Sequence, residues 1–589
     1  MNNIKNKFNK IAFGLCLCTF GLSFVACEDF LDRPPYDEFD NEEFWQSEAQ
    51  ARAFMYGVYP SVFAGYGTGV AHGPFLMGET SNDDFTSESQ AELGPLTIPT
   101  SDGSWSFTNV RKANYIIDNV GRLDADETTV NHWRGIGRFF RAYFYSNLVF
   151  LYGDVPYMDH YPVISDNKED MDFLYKDRDS RIYVDSMIME DFQYAMDHVR
   201  TDDGSLQINK YVVAAMASRL LLREGTFLKY HNIDQAKATE CLKFAKKASE
   251  IVMGGSYKIS DDYKALFTSN DLEGNSEVIM YRKYLDGVLA HSTLAYSYQD
   301  PQGGATCSLT ESFLTKTGFP IYYNNEYWVA PTATDFYTNR DPRLTLCFRT
   351  QYYLRGENPG NFAYSLSGYS WSKFMDDSKA GSGDATFARE RNVTDAPCLR
   401  LGEVLLNYAE ICYELGVLDQ SILDKTINVL RDRKGVEMPH LEIVGGEPAI
   451  NGVVYDDPKR VQINAADPGY DVPALLWEIR RERRVELCFE GFRLNDLKRW
   501  NKLDYMMNSV NPDIRYGAYI RLSDYPEGRK NVSLENADAT EGYILRNTGT
   551  QRVNMPTEKN YIYPVPTDQI ILYKNHGYTL TQTKAWREE

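Results

Sequence analysis

Four carboxylates recur at every fourth position in one segment. They are Glu478, Glu482, Glu486 and Glu490, within Pro473–Trp500 (PALLWEIRRERRVELCFEGFRLNDLKRW). On a helix that spacing stacks them along one stripe, where like charges repel. Two chemistries fit. Paired carboxylates can serve as acid and nucleophile on a glycosidic bond. The interleaved arginines can instead close a structural ion network. Arg481 lies three residues after Glu478 and Arg483 three before Glu486, while Arg480, Arg484 and Arg493 are left for other segments. Leu475, Leu476, Ile479, Val485, Leu487 and Phe489 leave little surface for solvent. That favours the network and puts the helix inside a larger body. Asp471 is the expected cap, with Pro473 near the first turn. Gly491 is the expected stop, and a short helix over Leu494–Trp500 follows.

A second set of residues suits stacking. The stretch 63–99 is rich in Gly, Ser, Asp and Thr and holds Tyr66, His72, Phe75, Asn82, Asp83 and Asp84. Loops of that length tend to be functional. Tyr296 and Tyr298 precede Gln299, and Tyr322-Tyr-Asn-Asn-Glu-Tyr-Trp328 forms a third aromatic group. An aromatic ring offers a flat apolar face and a polar edge. The C–H face of a sugar can lie on it while nearby amides and carboxylates meet the hydroxyls. Tyr66, Phe75, Asp83, Tyr296, Tyr298, Tyr327 and Trp328 are therefore the candidate ligand-binding residues; the alternative for each is packing beneath its loop. Trp45, Trp105, Trp133, Trp477 and Trp500 fall on helical segments and are expected in the core.

Other chemistry finds no motif. There is no Walker loop, H-E-x-x-H, G-x-S-x-G, zinc-type cysteine cluster or EF-hand loop. No catalytic residue, metal site or cofactor is expected, although a structural calcium stays open. The 589 residues are 43% hydrophobic and 25% charged, an ordinary globular balance. The formal charge is −21; without residues 1–26, which hold three lysines and no acid, it becomes −24. A surface of that sign argues against nucleic acid as a partner.

Lys5, Lys7 and Lys10 precede an apolar run ending in Leu22-Ser-Phe-Val-Ala26-Cys27. This predicts a secretory leader over 1–26, too short to span a membrane comfortably. The small residue before Cys27 resembles a bacterial lipobox, which predicts a lipidated Cys27 and an acidic tether over 27–43. More than one acyl chain is needed for stable anchoring. Six later cysteines, Cys241, Cys307, Cys347, Cys398, Cys412 and Cys488, show no C-x-x-C spacing; buried free thiols are expected.

Helical periodicity runs through 42–62, 105–120, 130–152, 181–199, 210–228 and 234–253, returns at 399–415 and 421–433, and fails between 257 and 397. After Trp500 the chain reads as mostly irregular, with a helical turn near 568–572.

The stretch Ile479–Trp500 resembles the I-R-R-E-R-R-x-E-L-x-F-E-G-x-R-x-x-D-L-x-R-W signature of the SusD/RagB family of outer-membrane lipoproteins. Further similar stretches are Cys27–Pro35, Arg138–Pro156, Asn339–Leu344, Ser367–Lys373 and Tyr561–Pro566. The resemblance implies a mainly α fold: a tetratricopeptide-like scaffold of helix pairs over about 44–256, 398–434 and 473–500. Irregular ligand-binding and partner-facing regions would cover about 257–397 and 501–589. It also implies a non-catalytic lipoprotein, displayed on the outer membrane, that captures oligosaccharide for a SusC-like TonB-dependent transporter. Peptide capture, as in the RagB branch, and a surface glycoside hydrolase are the alternatives.

Overall fold

The computed structural model describes residues 44–76, 82–86, 95, 97–162, 165, 167–298, 303–325, 332–352, 354, 365–376, 388–525, 532–545 and 555–587. The leader, Cys27 and the tether expected from the sequence lie outside them.

The scaffold is made of helices that pack on their sequence neighbours. After α1 (Glu48–Tyr56), α2 (Thr108–Asn119) lies against α3 (Glu127–Tyr152), and α3 against α4 (Arg181–His198). Next, α5 (Lys210–Tyr230) pairs with α6 (Gln235–Met253), and α7 (Leu401–Glu414) covers both. Short polar residues start these helices by satisfying free N–H groups. Asp126 accepts from Thr129 N at 2.7 Å, Asn209 from Tyr211 N and Val212 N at 3.0 Å, and Asp234 from Lys237 N at 2.8 Å. At Gly225 a Cβ would stand 2.8 Å from Leu242 Cγ, so this glycine sets how closely α5 and α6 approach. Their apolar faces meet in a large core that includes Trp45, Trp133, Phe139, Tyr145, Leu221 and Ile411.

Residues 257–397 carry only short elements. Strand β1 (Val278–Arg282) pairs antiparallel with β2 (Ala396–Arg400), which leads straight into α7. A second apolar core lies here, with Tyr66, Phe75, Tyr263, Phe267, Phe348, Trp371, Phe374 and Phe489 among its members. Downstream come α8 (Pro458–Ala466), α9 (Ala474–Glu486) and α10 (Arg493–Arg499). Then β3 (Tyr516–Arg521) pairs antiparallel with β4 (Glu541–Leu545), with a bulge between Tyr516 and Tyr519.

The helical periods locate most of these elements within a few residues. Three differences have physical causes. The segment expected as one helix over 421–433 divides into Gln420–Asp424 and Ile427–Arg431. At the break the Thr426 hydroxyl donates to Ile422 O at 2.5 Å and the backbone leaves the helical region. Asp471 does not cap α9: Pro473 occupies that position, with no side-chain bond. The helix also ends before Gly491, because Phe489 already has φ +63° and its carbonyl accepts from Leu76 N at 2.9 Å. Gly491 is then required for approach rather than for stopping; a Cβ there would lie 2.6 Å from Pro74 O. Helix α8 was not evident in the sequence; Asp457, accepting from Lys459 N, and Pro458 start it. No helix among the described residues is long and apolar enough to cross a membrane.

Candidate functional site

The glutamate stripe of α9 is sealed, and each of its carboxylates meets at least one cation. Glu482 meets Arg431 at 2.6 Å and Arg343 at 3.1 Å. Glu486 meets Arg400 and Arg433, each at 2.9 Å, and Arg343 at 3.3 Å. Glu490, just past the helix, takes Lys373 and Arg400, each at 2.7 Å. Arg400 and Arg433 also reach buried Glu277 at 2.9 and 2.7 Å. Burial pushes the Glu486 carboxyl up, but Arg433, Arg400 and Arg343 hold it well below the usual range. The like charges thus stand apart, each between cations from distant segments. Arg481 pairs with Glu478 at 3.1 Å, as the spacing predicts. Arg483 does not meet Glu486; it bonds Asp496 at 2.8 Å and Asn407 at 2.7 Å. Two carboxylates flanking an accessible substrate cannot be drawn from this stripe.

An accessible cleft opens beside α8, which contributes Lys459 and Gln462 to its wall. A cleft of about 440 Å³ is lined by Glu311, Tyr322, Lys459, Gln462, Asp513, Tyr516, Glu535 and Tyr543. The β3–β4 pairing brings Tyr516 and Tyr543 to one face, with ring centroids 5.6 Å apart and planes at 29°. Tyr519 stands edge-on to Tyr543 at 5.2 Å. On the opposite wall the Tyr322 hydroxyl donates to Glu311 Oε2 at 2.6 Å. Lys459 forms an ion pair with Asp513 and donates to Gln462 Oε1 at 3.1 Å. Burial raises the Glu311 carboxyl, and neighbouring Asp513 raises it further. For Lys459 burial acts downward, and the Asp513 charge outweighs it, so the ammonium is held charged. The cleft therefore offers three phenol rings, an amide and three carboxyl groups against one lysine. Glu311, Tyr322 and Lys459 also line a chamber of about 60 Å³, walled by Trp477, Arg480, Arg481 and Arg484 from one face of α9.

The residues singled out from the sequence fall in different places. Tyr66 is 2% exposed, with Phe75 edge-on at 4.9 Å and Phe374 at 5.5 Å. Phe75 is 6% exposed in the same core. A polar, glycine-rich loop here folds its aromatic residues inward; Tyr66 is enclosed, while Phe75 also lines a separate cavity of about 320 Å³ with Pro74, Tyr143 and Arg219. Asp83 is likewise enclosed: Arg493 donates to its two oxygens at 2.7 Å each, and Arg484 Nη2 lies 3.3 Å away. Burial pushes its carboxyl up, while Arg493 and Arg484 bring it below the usual value. Its edge lines the small chamber described above. Tyr296 is buried edge-on against His72 at 4.7 Å, and its hydroxyl donates to Val70 O at 3.4 Å. The side chain of Tyr298, and all of Tyr327 and Trp328, lie outside the described residues. Of the third aromatic group, Tyr322 reaches the cleft. Trp45, Trp105, Trp133 and Trp500 are buried as expected, and Trp477 is half-buried beside the chamber.

Tyr516, Tyr543, Asp513, Glu535, Lys459 and Gln462 were missed. A signal existed in Tyr516-Gly-Ala-Tyr-Ile-Arg521 and Glu541-Gly-Tyr-Ile-Leu545, two β-prone runs separated by a polar stretch. Among the described residues no group of three or more His, Cys, Asp or Glu is placed to hold a metal ion.

Residues 295–586, which contain the whole cleft, match the SusD family. The SusD-like protein P2 of Formosa agariphila is 24% identical over 516 residues, covering 83% of this chain and 90% of its own. Among solved structures, a SusD-like carbohydrate binding protein from Bacteroides fragilis superposes with a TM-score of 0.63 at 19% identity, over 89% of this chain and 98% of its own. A laminarin binding SusD-like protein gives 0.52 at 17% identity, over 92% and 99%.

Proposed function

This chain belongs to the SusD family of non-catalytic binding proteins, and from that premise we propose that it captures glycan at the bacterial outer membrane and passes it to a SusC-like TonB-dependent transporter. Lipidation at Cys27 would hold it there, facing outward. The observation that carries the reading is the cleft walled by Tyr322, Tyr516 and Tyr543. Stacked phenol faces suit the C–H side of a sugar, and Gln462, Glu311 and Glu535 suit its hydroxyls. Three carboxyl groups against one ion-paired lysine make a neutral glycan the better ligand, since a uronate or sulfate would meet like charge.

One observation favours a second reading. Glu311, with its raised carboxyl, stands near Asp513, an arrangement a hydrolase could use. Affinity electrophoresis of the protein against a panel of neutral polysaccharides, with reducing ends assayed in the same mixtures, separates the two. Retardation without new reducing ends is expected. Tyr543→Ala should weaken it by about 1 kcal/mol, roughly fivefold. New reducing ends would establish the hydrolase. Retardation by none of the glycans, with a thermal shift on adding peptides, would move the assignment to peptide capture. For the anchor, Cys27→Ala should release the protein from membranes; retention of that variant would refute lipidation there.

A further inference from the structure

We propose that the cavity between the helical scaffold and the loop-rich unit binds a small organic carboxylate, whose acid group pairs with Arg223. The cavity holds about 320 Å³ and is separate from the tyrosine cleft, since no residue lines both. Tyr143 and Asn147 reach it from α3, Arg219 and Arg223 from α5, and Asn495 from α10. Asn495 is exposed, so the cavity opens to solvent beside it.

The charge of this wall runs against that of the whole chain. The formal charge is −21, yet five arginines and three carboxylates line the cavity. Four of the arginines have acids of their own. Arg219 meets Glu403 at 2.5 Å, Arg400 meets Glu490 at 2.7 Å, and Arg483 and Arg499 each meet Asp496 at 2.8 Å. Arg223 is the fifth. It donates to Ser146 O at 2.8 Å and to Asn147 Oδ1 at 3.0 Å, both neutral acceptors. Among the described residues no carboxylate pairs with it. Glu224, next in the chain, is taken by Arg181 at 2.5 and 2.7 Å. In those two bonds Arg223 Nη1 and Nη2 each use one hydrogen and keep another. Burial lowers the Arg223 guanidinium to about 10, and the Glu224 charge offsets only part of this, so the group is a cation at neutral pH.

A cation held in a protein without a counter-ion is costly. An anion in the cavity would supply the missing charge through hydrogen bonds stronger than those to neutral oxygens. The planar fork of arginine matches the two oxygens of a carboxylate. The rest of the wall selects the body of the ligand: Phe63, Met216, Leu220, Pro397 and Phe492 are apolar. That favours an organic acid over sulfate or phosphate, and the volume lies at the small end of ligand pockets.

The test is to titrate benzoate and octanoate into the purified protein by calorimetry at low salt, with benzyl alcohol and sulfate as controls. Saturable binding of at least one of the two acids is expected, with none of benzyl alcohol and no displacement by equimolar sulfate. Arg223→Gln should weaken binding by about tenfold or more. Tyr543→Ala, in the separate cleft, should leave it unchanged, so failure here and failure of glycan capture are distinguishable. If Arg223→Gln does not fold, a charge pair at the exposed mouth decides. Asn495→Asp should weaken binding by roughly two- to threefold and Asn495→Lys strengthen it, both effects fading at high salt. Binding of neither acid, equal binding of benzyl alcohol, sulfate binding in place of the acids, or affinity unmoved by Arg223→Gln or by the Asn495 pair would overturn the proposal.

Discussion

Two regions of this protein use the same side chains to opposite ends. Around α9, Glu482, Glu486 and Glu490 are sealed, and each touches at least two cations. In the cleft, Glu311, Asp513 and Glu535 share a single lysine, and aromatic rings stand beside them. The first arrangement leaves no lone pair for a visitor and fixes one fold. The second leaves acceptors and flat apolar faces open, which recognition needs. Charge count alone does not separate them; accessibility and the number of partners per acid do.

Breaking the sealed region should give the largest effect. Glu486→Ala leaves Arg343, Arg400 and Arg433 short of an acceptor in a buried site, and should cost about 3–5 kcal/mol. Urea unfolding measures this; a loss below about 1 kcal/mol would mean that the network does not hold the fold.

Acidification should separate the regions next. His291 accepts from Thr293 N at Nδ1 (3.2 Å) and lies 3.0 Å from Thr394 O through Nε2, which fits the neutral ring. Burial pushes His291 down to about 3, and His132 and His231 down to about 4. Unfolded histidines take protons near 6.5. The stability held by the neutral rings is complete above that pH and is lost as pH falls toward 4, by up to about 1.4 kcal/mol per pH unit for each. Glu410, brought to about 2 chiefly by Arg499 against the opposing effect of burial, adds a further loss below 4.5. Asp504 and Asp395, pushed up by burial to about 8 and 6, gain stability over the same range, so the check is each ring's own titration by NMR: imidazole signals unshifted between pH 7 and 5 are expected, and a titration near 6.5 would refute the buried neutral histidines.

The smallest effect sharpens the open region. Glu535→Gln removes an exposed carboxylate at the cleft. It should improve binding of a uronate-bearing glycan by roughly two- to threefold at low salt and leave a neutral glycan unchanged, the gain fading at high ionic strength. Equal changes for both ligands would mean that Glu535 acts by contact rather than by charge.

The scaffold was legible because a long helix repeats its pattern many times: 130–152 and 210–228 carry enough turns to be found by period alone. The burial of α9 was legible too, since acids every fourth residue make sense only with partners. Which partners was not. Arg343, Arg400 and Arg433 arrive from segments with no common pattern, and Asp83 meets Arg493 across 410 residues of chain. Tyr66 and Phe75 misled because loop composition reports the backbone's surroundings and not where two aromatic rings point. The tyrosine wall escaped because it is built from two short strands with a bulge, each too brief to declare a period.

The position of α9 along the chain bears on when the protein can fold. Arg343, Arg400 and Arg433 are all made before the helix whose glutamates neutralise them. A nascent chain that has reached residue 470 holds several charges with nowhere to bury them and a second core lacking Phe489. Completion of that half must wait for the closing fifth of the chain to emerge. The polypeptide therefore stays open to chaperones until synthesis is almost finished.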